Sequence, residues 1–129
     1  MLLEAEMGTG GGELEQRAKA SGGRTIHLAP GERREWPFKI DGRGGPYLLS
    51  VIYSNDNIGE TETISAFIDG ALVGFFEARD TGDDGEGWEI FVTDTAGTSM
   101  IGTGRHILTL ESSGGDGCVE IDFVTLAPT

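Results

Sequence analysis

The sequence predicts an all-β domain, an antiparallel β-sandwich of jelly-roll type, on three observations. Apolar and polar residues alternate at period two in run after run. The runs are short and rich in β-branched and aromatic residues. Turn residues separate them, with Gly 22 and Pro 4 and no period-three repeat. A chain of 129 residues with 37% apolar content supports one domain, 1–129, around one modest core.

The elements follow in order. A first strand is expected within "MLLEAEMG", where Glu4 and Glu6 share one face at spacing i, i+2. Two like charges so placed repel unless a cation lies between them or both face water. "GELEQRAKA" has a helical composition but is too short to stand alone. "RREWPFKI" sets Arg34, Trp36, Phe38 and Ile40 on one face. Pro37 lacks a ladder donor, which predicts an edge or a bulge. "YLLSVIY" sets Tyr47, Leu49, Val51 and Tyr53 on one face. In "TISAFIDGALVGFF" the pair Asp69-Gly70 predicts a two-residue hairpin. "WEIFVT", "RHILTLE" and "CVEIDFVTL" predict three more strands, and "TAGTSMIGTG" reads as a turn.

Charge narrows the partners. Asp+Glu 22 against Lys+Arg 9 gives a net charge of -13, which repels phosphate backbones and anionic lipid. No nucleic acid or membrane partner is expected, and no run approaches the ~20 apolar residues of a membrane span. Cys118 is the only cysteine, so no internal disulfide forms, and it reads as a small core residue. "MLLEAEMG" has neither the basic start nor the long apolar stretch of a signal peptide. Strand-like runs so near both ends suggest a module taken from a longer polypeptide.

No catalytic constellation stands out. The two histidines are His27 and His106, and His106 in "GRHILTL" reads as a structural histidine at a strand start. No GxSxG, HExxH, Walker loop or paired CxxC occurs. A hard cation such as Ca²⁺ would suit the Glu4–Glu6 pair, because it prefers carboxylate and carbonyl oxygens. The acidic loops "SNDNIGE" and "DTGDDGEGWE" lack EF-hand spacing, since position twelve from Asp80 is Phe91. Trp88 follows a flexible acidic loop, where a ring can be presented to the face of a sugar.

These stretches together resemble the family 6 and family 35 carbohydrate-binding modules. "EAE" at 4–6, "ASGG" at 20–23, "GERREWPFKI", "YLLSVIYSN", "FIDGALVG", "GEGWEIF", "GRHILTLES" and "GCVEIDFVTL" are similar to motifs of those families in the same order. The resemblance implies a non-catalytic module that binds a polysaccharide or oligosaccharide. It would be secreted and would hold an attached glycoside hydrolase, esterase or lyase, in the same polypeptide, to its substrate. It also implies a structural calcium held by Glu4, Glu6, the backbone of Arg24, and Asp122. For the ligand it implies Trp88 and the position of Glu120, with His27, Tyr53 and Asn55 nearby. Glu120 stands where the families carry asparagine, and the aromatic expected after "SGG" is missing, with His27 in that stretch instead. An ionised glutamate only accepts hydrogen bonds, whereas asparagine also donates. The alternative expectation is a structural or interaction sandwich that has lost sugar binding.

Overall fold

The computed structural model describes residues 1–56, 59–82, 84–115, 117 and 119–129. Cys118, expected in the core, and Asp83 of the acidic loop lie outside the described residues. Among the described residues, eleven antiparallel strands form two facing sheets. The first sheet has β3 (Glu13–Gln16), β4 (Arg24–Leu28), β11 (Val119–Pro128), β6 (Gly45–Ser54) and β9 (Val92–Ile101) in that order, and β1 (Leu2–Glu4) also pairs with β11. The second has β2 (Thr9–Gly10), β5 (Arg33–Ile40), β10 (Gly104–Ser113), β7 (Thr63–Ile68) and β8 (Ala71–Glu77). The chain crosses repeatedly between the sheets, the jelly-roll pattern that period-two alternation over short strands predicts.

The core lies between the sheets. Leu49, Val51 and Tyr53 of β6 meet Trp36, Phe38 and Ile40 of β5, with Ile121, Val124 and Leu126 of β11 and Leu108 and Leu110 of β10 beside them. Arg34 shares the inward face of β5, as its position in the alternation requires. Its guanidinium donates to the carbonyls of Ala5 (2.9 Å), Gly8 (2.8 Å) and Gly11 (3.1 Å), which satisfies its donors in the core, and the Glu6 carboxylate nearby favours its charge. Pro37 lies in β5 beyond the reach of β2, which pairs only with Glu35 and Arg34, so its missing donor faces an open edge. The Asp69-Gly70 turn joins β7 to β8 with φ of 52° and 82°, as a two-residue hairpin of this type demands.

Three expectations are corrected. "GELEQ" contributes strand β3, because pairing with β4 outweighs a weak helical composition. The opening strand stops at Glu4, and Glu6 sits in a single 3₁₀ turn, Ala5–Met7, so the two carboxylates are not neighbours on one strand face. "TAGTS" is not a turn but the middle of β9. Its glycine serves close approach instead: a Cβ at Gly97 would lie 2.9 Å from the Val73 carbonyl, and one at Gly74 would collide with the Ala96 carbonyl. The edge strands β8 and β9 thereby close one side of the sandwich. Gly74→Ala is expected to destabilise the domain by roughly 2–3 kcal/mol, since both colliding groups are backbone. Chemical denaturation checks this, with loss in the midpoint and little change in slope.

Candidate functional site

Two assemblies sit at β11, one on each side of a break in its ladder. The register against β6 shifts between Ile121 and Phe123, and Asp122 is the residue at the shift. Along the other edge of β11, β4 pairs with residues 119–121 and β1 takes over at 123–125. Asp122 therefore lies where β4 ends its pairing and β1 begins, between the two halves of one sheet edge.

Glu4 and Glu6 are brought to that junction by anchored backbone. The Trp36 indole donates to the Glu4 carbonyl at 2.9 Å, and Arg34 holds the carbonyls of Ala5 and Gly8. The 3₁₀ turn Ser21–Gly23 supplies the fourth side. The Ser21 N–H donates to Asp122 Oδ2 (3.0 Å) and its hydroxyl to Glu4 Oε1 (2.6 Å). Gly22, at φ 72°, leaves room where a Cβ would stand 2.9 Å from Glu6 Oε2. Three carboxylates thus converge with Glu4 Oε2, Glu6 Oε1 and Asp122 Oδ1 buried and without a hydrogen-bond partner. Burial, with the Glu4 and Glu6 charges adding to it against the Ser21 N–H, pushes the Asp122 carboxyl up to about 6. Among the described residues no group of three or more His, Cys, Asp or Glu side chains is placed to hold a metal ion as the side chains stand. Arg24 opens β4 opposite Gln16 with its side chain exposed, one residue past Gly23.

The second assembly lies on the outer face of the same sheet. Thr25 and His27 alternate with the core residues Ile26 and Leu28, and His27 pairs in register with Glu120. Glu120 is fully buried there. Arg17 grips it from Nε and Nη2, both at 2.7 Å, while the Thr25 hydroxyl donates at 2.8 Å and His27 Nδ1 lies at 2.9 Å. Burial raises the Glu120 pKa, but these three partners overcome it and bring the carboxyl down to about 2. Glu120 in turn raises the pKa of His27, against partial desolvation. Arg17 was not foreseen from sequence. It sits in the stretch with helical composition, and only the pairing of β3 with β4 brings it to β11.

Trp88 covers this group. It sits in a 3₁₀ turn, Glu86–Glu89, not at a strand start as expected. The turn is fastened by the Gly87 N–H to Asp56 (2.8 Å), by the Thr81 hydroxyl to the Gly87 carbonyl (2.8 Å), and by Glu89, which accepts from the Ala18 and Lys19 N–H groups. The indole ring is half-buried, 5.5 Å from the His27 ring and 5.6 Å from the Arg17 guanidinium carbon. An aromatic face, a guanidinium and an imidazole therefore share one partly open surface.

Tyr53 and Asn55, expected beside the ligand, do not join it. Tyr53 is fully buried in the core; its hydroxyl donates to Asp94 and accepts from the Arg79 N–H, and burial with the Asp94 bond pushes its pKa up to about 12. Asn55 is 1% exposed and donates to Glu62 at 3.0 Å, bracing the loops that follow β6 and precede β7. Strand alternation turns Tyr53 inward, and residue type alone did not reveal this.

No family model matches the chain, and no curated protein matches it. Solved structures do. A native family 35 carbohydrate-binding module from Clostridium thermocellum shares 18% identity at a TM-score of 0.83, covering 100% of this chain and 98% of that one. The C-terminal CBM6 of LamC from Zobellia galactanivorans shares 17% identity at 0.79, covering 98% of each chain. An exo-beta-1,3-galactanase from Phanerochaete chrysosporium, solved with beta-1,3-galactotriose, shares 16% at 0.78; 98% of this chain matches 28% of that one. The chain has the fold of these carbohydrate-binding modules.

Proposed function

We propose that this chain is a non-catalytic carbohydrate-binding domain whose ligand site is the Trp88–Arg17–His27 surface. The observation that carries the reading is the half-buried Trp88 ring, fixed by its turn over two polar neighbours, Arg17 and His27. Such a ring packs on the C–H face of a pyranose, and convergent polar groups fix the hydroxyls. Glu120 does not touch the sugar in this reading, because its oxygens are already satisfied by Arg17, Thr25 and His27. Arg17 and His27 replace the amide that its position lost, one as donor and the other through Nε2. The guanidinium is already neutralised by Glu120, so the surface suits a neutral sugar.

The carboxylate junction fits a structural Ca²⁺. Hard oxygens in a flexible arrangement suit that ion, and three unpartnered buried carboxylate oxygens are the observation that supports it. Glu4, Glu6 and Asp122 would hold it, with the Arg24 carbonyl as the further ligand that the family resemblance supplies. Bound there, it supplies positive charge that offsets the repulsion and ties β1 to β4 and β11. The wider role follows as part of the same proposal: a secreted polypeptide in which this domain keeps an attached catalytic module at its polysaccharide, where modest single-site affinity suffices through effective concentration.

A second reading is a sandwich that kept the fold and lost sugar recognition. It is favoured by Glu120, whose whole hydrogen-bonding capacity is spent internally. Affinity electrophoresis against neutral and acidic polysaccharides, with calcium present, separates the two. The first reading expects retardation on at least one neutral polysaccharide, with Trp88→Ala weakening it at least tenfold, about 1–3 kcal/mol for a lost aromatic platform. Absence of retardation on every polysaccharide favours the second.

A further inference from the structure

His106 lies far along β10 from the Trp88 surface and carries its own chemistry. Its side chain is 14% exposed and its ring packs on Phe38 at 5.4 Å. Both ring nitrogens face acceptors. Nδ1 lies 2.6 Å from Asp69 Oδ2, and Nε2 lies 2.7 Å from the Gly102 carbonyl oxygen. A neutral imidazole has one N–H and can satisfy only one of them; the imidazolium donates to both. The two acceptors belong to different turns. Asp69 is in the β7–β8 hairpin, at φ 52°, and Gly102 is in the β9–β10 connection. The ring therefore bridges two otherwise separate turns at one end of the sandwich.

That bridge borders an open cleft of about 580 Å³ lined by Pro37, Lys39, Asp69, Arg105, His106 and Ile107, with Phe38 beneath. Asp69 of the hairpin is the charged group that acts on the ring. Lys39 of β5, itself 3.3 Å from Asp41, and Arg105 of β10 line the cleft but pair with each other on the opposite strand face from Phe38 and His106. The 102–103 connection carries no charge.

We propose that His106 is a proton-controlled clamp. As the imidazolium it fastens the β7–β8 hairpin to the β9–β10 connection, and on losing its proton it releases the latter. The released side is set by bond strength. The bond to the Asp69 carboxylate is charge-assisted and keeps the remaining N–H on Nδ1. Asp69 is also held by the Ile107 N–H (2.9 Å) and by its own N–H to the Ile107 carbonyl (2.8 Å). The Nε2 lone pair then faces the Gly102 oxygen, lone pair against lone pair, and that contact opens. The Asp69 carboxylate and then the Gly102 carbonyl hold the ring's pKa above its ordinary 6.5. A raised pKa makes the clamp's share of stability complete below 6.5 and lost as pH rises through the folded value. The device acts on one wall of the cleft and is independent of the sugar reading.

The test is a pH titration of the whole chain by NMR, following the His106 ring nitrogens and the Gly102 carbonyl carbon. Both ring nitrogens are expected to be protonated at pH 6.5. The Gly102 carbonyl is expected to shift with the same midpoint as His106, while the Ile107 amide stays in place. Amide exchange at 103–104 should rise roughly fivefold across that midpoint, the effect of one lost hydrogen bond. Asp69→Asn should lower the midpoint without unfolding the hairpin, and His106→Gln should abolish the transition. A His106 ring already neutral at pH 6.5 overturns the proposal. So does a Gly102 carbonyl that ignores its titration. The wild-type titration alone decides the matter should either variant fail to fold.

Discussion

Adding calcium to the metal-free chain is expected to raise its melting temperature by roughly 10 °C at a hundredfold excess over Kd. Such saturation corresponds to about 2.7 kcal/mol, and each kcal/mol moves a domain of this size by roughly 3–5 °C. The expectation rests on the cost that the junction carries without an ion. Glu4 Oε2, Glu6 Oε1 and Asp122 Oδ1 are buried and unpartnered, and the charges beside Asp122 help hold its carboxyl at about 6, so ionising it at neutral pH opposes folding. Asp122→Asn removes one of the three charges. The metal-free variant should be at least as stable as the metal-free parent, and calcium should no longer stabilise it. Glu4→Gln should behave likewise. Thermal melts with calcium and with EDTA check all three. An unchanged parent melt in EDTA removes the ion from the account and leaves the carboxylates as a strained junction.

Replacing Glu120 is expected to have the largest effect of any single side chain on the outer face. Glu120→Ala should destabilise the domain by about 3 kcal/mol, because it strands the Arg17 guanidinium, which with the His27 ring now shares one buried carboxylate. Glu120→Gln keeps the shape but not the charge and should cost roughly 2 kcal/mol. The parent's acid limb carries the same information. Its Glu120 pKa falls from an ordinary 4.5 to about 2, on the order of 3 kcal/mol at about 1.4 kcal/mol per tenfold. A depressed carboxyl contributes that stability above 4.5 and loses it as pH falls through about 2. Glu120→Gln should therefore show a flatter stability profile between those values, read from urea midpoints at successive pH. Near-equal profiles for parent and variant would mean that the Arg17 grip contributes nothing in solution.

The fold was legible because most strands announce themselves twice, by alternation and by the turns between them. Trp36, Phe38 and Ile40 could be placed inward from spacing alone, whereas Leu49, Val51 and Tyr53 could be placed on one shared face but not assigned to the core or the surface. What failed were positions where tertiary contact overrides local preference. Gly97 looked like a turn because glycine has no side chain, and the structure uses that same property to let β8 approach β9. The carboxylate junction was readable as a set of positions, but the i, i+2 argument for Glu4 and Glu6 was not the right geometry. A 3₁₀ turn and the ladder shift at Asp122 bring the groups together. Tyr53 and Asn55 looked suited to a ligand by residue type, and the structure buries both side chains. Arg17 could not have been found by spacing, since it lies 103 residues from Glu120 and meets it only through the order β3-β4-β11.

The proposed function turns on whether a sugar lands on Trp88. The chain has two tryptophans, hence two indole N–H signals. That of Trp36 is buried and donated to the Glu4 carbonyl, which makes it an internal control. The decisive measurement is a ¹⁵N-resolved NMR titration of the calcium-loaded chain with neutral oligosaccharides of β-1,3- and β-1,4-linked hexoses. Saturable shifts of the Trp88 indole and the Arg17 Nε–H are expected, with the Trp36 indole unmoved. Saturable binding that leaves Trp88 and Arg17 still, or no shift with any sugar in the set, would contradict the proposed function.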